Sequence, residues 1–171
     1  QITLRGTSDF NNIQYHISFP DADPLNADNP TDPAARSIYF GASKPPATIM
    51  DGILNSKFTG LYTDLDLKGV EVDRRALKDP PFDLQLVELP TSTNNLISVK
   101  LTITARQAFN SPLIAQVSLI ENQTGTFKNV LRKQLLGADG ETITLVFNKG
   151  DVLFKLKDNV SINVPITNSG Q

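Results

Sequence analysis

The sequence predicts an α+β chain: a mixed strand–helix segment over residues 1–81, then an antiparallel β-sandwich over residues 82–171. Three observations carry this reading. Before residue 81, apolar residues recur both at every second position and at spacings of three to four. The tripeptide Asp79-Pro80-Pro81 then interrupts the chain. Beyond it the alternation has period two almost throughout, in short runs separated by turn residues.

In chain order, Ile13, Tyr15, Ile17 and Phe19 alternate with Gln14, His16 and Ser18, which predicts a strand. Residues 20–33 form a loop rich in proline and aspartate. Asp32-Pro33 reads as the N-cap and first residue of a helix of about two turns, with Gly41 as its stop. After Lys44-Pro45-Pro46, the apolar residues 47–50 lead into Asp51-Gly52, a hairpin turn signal, and residues 53–58 would return as a strand. Thr63 is placed to cap a helix carrying Leu67, Val70 and Leu77 on one face. Gly69 weakens that helix by up to ~1 kcal/mol, and Asp79-Pro80-Pro81 ends it.

The second segment is simpler. Ile97, Val99, Leu101, Ile103 and Ala105 alternate with Ser98, Lys100, Thr102 and Thr104. Residues 113–121, 141–147 and 160–166 repeat the pattern, as expected of half-buried antiparallel strands. Pro165 lacks a ladder donor, so the last strand should lie at an edge or stop there.

Composition removes several function classes. The 171 residues hold no cysteine and one histidine, which excludes thiol chemistry, zinc thiolate sites and multi-histidine metal sites within this chain. A net charge of −2 gives no footprint for nucleic acid or anionic lipid, and no apolar run reaches the ~18 residues of a membrane span.

Candidate site residues are few. Asp21, Asp23, Asp28 and Asp32 sit in a twelve-residue stretch of hard oxygen ligands suited to calcium. The stretch departs from an EF-hand loop: Leu25 stands at its fifth position, Asn26 at the glycine position, and Asp32 where a bidentate Glu belongs. A solvated loop whose aspartates make turns and caps is the alternative. His16 falls on the polar side of its strand with no G-x-S-x-G elbow to supply a nucleophile, so a hydrogen bond within the fold is expected of it. Lys128, Arg132 and Lys133 alternate with apolar residues, either as the wet edge of a sheet or as a weak partner-binding patch. Asp73-Arg74-Arg75 reads as a solvated helix face.

Several segments, taken in order, resemble a known group. They are Ile13-Gln14-Tyr15-His16-Ile17-Ser18-Phe19-Pro20, Asp23-Pro24-Leu25-Asn26, Ala35-Arg36-Ser37-Ile38-Tyr39-Phe40-Gly41, Pro46 and Asp51-Gly52. Val117-Ser118-Leu119-Ile120-Glu121, Asn129-Val130-Leu131-Arg132-Lys133 and Gly137-Ala138-Asp139-Gly140 follow. Together, over about residues 12–150, they resemble the thioredoxin-related outer-membrane, periplasmic and secreted proteins of Bacteroidota, which carry a β-sandwich behind a thioredoxin-like domain.

The resemblance implies that residues 1–81 are the C-terminal part of a thioredoxin-like α/β domain lacking its first strand and CxxC helix. Those would precede Gln1, and a further strand would follow Gln171. The chain is then expected to belong to a longer polypeptide, or to be completed by another chain; a measured mass of 18.7 kDa would refute the longer version. Pro46 would be the structural cis-proline of that fold. The resemblance further implies an extracytoplasmic protein, outer-membrane-associated, periplasmic or secreted, whose partners are other proteins of an envelope or surface assembly. It would be non-catalytic, bind through its β-sandwich and carry no resident cofactor. The competing reading is a thiol–disulfide oxidoreductase whose CxxC lies upstream, and a third is a calcium-stabilised surface module using the loop from Asp21 to Asp32.

Overall fold

The computed structural model describes residues 11–19, 21–42, 47–50, 69–92, 95–143 and 146–161. The chain divides into two units, one of residues 1–79 with 122–130, the other of residues 80–121 with 131–171. It is β-rich, with a few short helices: α1 is Pro24–Ala27, α2 Thr31–Phe40 and α3 Gly69–Ala76. The strands are β1 (Phe82–Leu89), β2 (Leu96–Ala105), β3 (Leu113–Ala115), β4 (Ser118–Thr124), β5 (Phe127–Gln134), β6 (Glu141–Ile143) and β7 (Val152–Ser161). No helix among the described residues is long and apolar enough to cross a membrane.

In the second unit, β1, β2 and β7 form an antiparallel sheet with β2 in the centre. The alternation legible in the sequence is realised on β2: Ile97, Val99, Leu101, Ile103 and Ala105 are all buried. They join Ala115, Val117, Leu135, Leu136, Ile143 and Phe147 in one apolar core. Each Val, Leu, Ile or Phe side chain among them contributes about 1.5–3 kcal/mol when removed from water, before conformational entropy is counted. Phe82 stacks on Phe109 with centroids 4.5 Å apart and stands edge-on to Phe147 at 6.3 Å. Phe109 and Phe147 exchange two backbone hydrogen bonds of 2.8 and 3.2 Å, which fixes this aromatic corner. The buried Gln134 accepts a hydrogen bond from the Ser118 hydroxyl at 3.1 Å. A buried amide needs such partners, since leaving one unmade costs about 1–3 kcal/mol.

Strands β4 and β5 pair round Gly125-Thr126, with Gly125 at φ +59. In the first unit, Asn129 takes the left-handed conformation (φ +55), which asparagine tolerates better than most residues. Its carbonyl accepts the Gln14 N–H at 2.9 Å, and Gln14 forms a parallel bridge with Val130.

Several elements differ from the sequence reading. Among the described residues, the alternating residues 13–19 make that single bridge and no named strand, and residues 13–17 are all half-buried. The aspartate-rich loop contains α1, N-capped by Asp23. Helix α2 begins at Thr31, so Asp32 lies inside its first turn instead of capping it. There its charge suits the helix dipole. Gly41 does close α2, at φ +64, donating its N–H to the Ile38 carbonyl. The described part of α3 ends at Ala76, leaving Leu77 86 % exposed rather than on a packed face. The run 113–121 breaks at Gln116-Val117 into β3, which pairs with β6, and β4, which pairs with β5. The last described strand starts at Val152, not at residue 160. The turn at Asp51-Gly52, the strand over 53–58, Thr63, Leu67, Pro46 and Pro165 lie outside the described residues.

Candidate functional site

Two features are candidates for function, one in each unit. The first is built around His16. Pro24 locks the backbone angle needed at the first position of α1, and Asp23 before it caps the helix by accepting the Leu25 N–H at 2.8 Å. The other carboxylate oxygen of Asp23 faces His16 Nδ1 at 2.7 Å. Burial works against ionisation of Asp23. The hydrogen bond from His16, together with those from Leu25 and Asn26, outweighs it and holds the carboxyl below its ordinary value of 3.8. An ionised carboxylate only accepts, so Nδ1 carries the proton.

Asn26, buried within this cluster, ties it together. Its amide donates to the His16 carbonyl at 2.7 Å, and its oxygen accepts from the Ser18 hydroxyl at 3.0 Å. Ser18 in turn receives the Asp23 N–H at 3.2 Å. The His16 ring stands edge-on to Phe127 at 4.9 Å. His16 is thus hydrogen-bonded within the fold, as the sequence predicts. The pair could orient a general base, but Ser18 is engaged with Asn26. Among the described residues no hydroxyl bonds the imidazole, so no nucleophile–base–acid chain is assembled.

Beside this cluster lies an open groove of about 740 Å³. Ile17, Phe19, Leu25 and Phe127 supply apolar walls, and Asp21 and Asp23 supply carboxylates. Phe19 and Phe127 are 59 % and 46 % exposed.

The second feature is β1. By register, Leu84 lies opposite Ile103 and Leu86 opposite Leu101. Directly opposed residues share a face of the sheet, so Leu84 and Leu86 extend the apolar face of β2. Yet they are 68 % and 54 % exposed, while Ile103 and Leu101 are buried. On β1 the core takes in Phe82 at the start of the strand but leaves Leu84 and Leu86 exposed. Among the described residues β1 has only β2 as a neighbour, and it contains neither proline nor lysine, the usual blockers of an edge strand.

The four aspartates of the candidate calcium loop are not brought together as a cage. Asp23 caps α1 and bonds His16, Asp32 is buried and accepts from the Asn29 amide at 2.7 Å, and Asp21 and Asp28 are exposed. Among the described residues no group of three or more His, Asp or Glu side chains is placed to hold a metal ion. Of the basic cluster, Arg132 pairs with Glu121 through Nε at 2.6 Å. Lys128 is exposed and Lys133 half-buried. Asp73 and Arg74 are exposed, and Arg74 and Arg75 close the last turn of α3, where positive charge suits the dipole. The groove and the β1 edge carry no local motif; Phe82–Leu89 lacks proline and lysine but carries the charged Asp83 and Glu88, so its sequence did not flag it as an open edge.

No family model matches the chain, and no curated protein or solved structure matches it either.

Proposed function

We propose that this chain is a non-catalytic binding module of an extracytoplasmic bacterial envelope or surface assembly, working through the edge of its second, sandwich-like unit. The observation that carries the reading is β1: an eight-residue edge strand whose Leu84, Leu86 and Val87 are exposed, two of them continuing a buried apolar face. A partner strand added along β1 would satisfy its outer backbone groups and cover Leu84 and Leu86, which is β-augmentation. The extracytoplasmic setting and the thioredoxin-like character of the first unit rest on the sequence resemblance. The lack of any cysteine in 171 residues supports a role without redox chemistry in this chain.

A photo-crosslinking residue at position 86, in the protein expressed in its own cells, tests this. A discrete protein adduct is expected, lost when Leu84→Lys is added and absent when the crosslinker replaces the exposed Lys149. Adducts of equal yield from both positions, or none from position 86, would overturn the reading.

A further inference from the structure

The groove of the first unit shares no residue with β1 and is unused by that function. Its chemistry is unusual for a bare surface. Apolar walls from Ile17, Phe19, Leu25 and Phe127 adjoin two carboxylates, and among the described residues no lysine or arginine lines it. The two carboxylates are not equivalent. Asp23 is committed to His16 and to the α1 cap. Asp21 is exposed and, among the described residues, has no hydrogen-bond or ion-pair partner. A free anion at the rim of an apolar groove selects by charge as well as by shape. A volume of about 740 Å³ is within the range of pockets that seat several side chains or a small ligand.

We propose that this groove is a second binding site, taking a short extended peptide segment in which a lysine or arginine neighbours an apolar side chain. The apolar side chain would rest against Phe19 and Phe127, and the cation would pair with Asp21. Charge complementarity chooses this occupant. An acidic segment would be repelled by Asp21 and Asp23, and an uncharged one would leave Asp21 without a counter-charge. Being open, the groove should bind weakly and exchange fast.

The test titrates the purified 171-residue chain with the peptide acetyl-Leu-Lys-Leu-Lys-Leu-amide. Backbone amide NMR shifts are followed, and the acidic analogue acetyl-Leu-Glu-Leu-Glu-Leu-amide is the control. Saturable shifts confined to residues 17–25 and 124–127 are expected with the basic peptide alone. Asp21→Asn should weaken them by roughly threefold, the size of one exposed ion pair. Because Asp21 has no partner among the described residues, that variant should retain its fold, which its unchanged remaining spectrum will report. Equal binding of both peptides, unchanged affinity in Asp21→Asn, or no saturable shift at millimolar peptide would overturn the proposal. None of these outcomes depends on β1.

Discussion

His16 Nδ1 lies 2.7 Å from Asp23 Oδ2, and the same aspartate caps α1 through its other oxygen. One carboxylate therefore anchors the half-buried segment 13–17 to the first helix. Replacing it removes both contacts. Asp23→Ala should cost about 1–2 kcal/mol, as a lost N-cap does, read by urea denaturation at pH 7.

The same contact sets an acid limit. The folded pKa of Asp23 lies below its ordinary value of 3.8. Its contribution is therefore fully present above the unfolded value, about 3.9, and fades as pH falls through the lower folded one. The stability difference between the wild type and Asp23→Asn should shrink as pH falls below about 4. A difference that grows on acidification would contradict this assignment.

Leu101 and Leu86 are cross-strand partners with opposite fates: 7 % and 54 % exposed. Leu101→Ala should destabilise the second unit by about 2–5 kcal/mol. Leu86→Ala should stay within about 0.5 kcal/mol. Paired thermal melts separate the two.

Gly140 and Gly150 both hold positive φ, +77 and +93, but their surroundings differ. A Cβ on Gly140 would lie 2.6 Å from the Ala115 carbonyl oxygen, whereas one on Gly150 meets nothing within 4 Å. Gly150→Ala should cost about 1–2 kcal/mol from the left-handed backbone alone. Gly140→Ala should cost clearly more, since Ala115 lies on β3 and backbone must shift. Equal losses in denaturation would contradict the close approach.

Arg132 is 11 % exposed by side chain and bonded to Glu121, so it acts within the fold. Arg132→Ala should destabilise by about 1–3 kcal/mol, while Lys128→Ala on the exposed start of β5 should stay within about 0.5 kcal/mol. Thermal melts of the two variants check this.

The β2 alternation, the Gly41 stop and the β-rich second half were legible in the residue order. Each depends on local periodicity or on one residue's backbone freedom, and such signals survive without knowledge of neighbours. Residues 13–19 show where that logic ends. Their alternation is as regular as that of β2. Whether alternating residues become a strand depends on finding a ladder partner, and among the described residues Gln14 bridges only to Val130. The aspartates of residues 21–32 show the same limit. Their types suited a cation, a turn or a cap equally well, and only the positions of Leu25 N–H, His16 and Asn29 decided how Asp23 and Asp32 are used.

By itself, then, the amino-acid order determined what is chemically possible in this chain: no thiol chemistry, one imidazole, and a β-rich second half. Tertiary structure alone decided that Leu84 and Leu86 face solvent while their cross-strand partners are buried, and that residues 122–130 fall in the same unit as residues 1–79. The physical reason is common to both. Periodicity says which face of a strand is apolar, but burial depends on how far the opposing layer reaches, and that is set by contacts between residues distant in sequence.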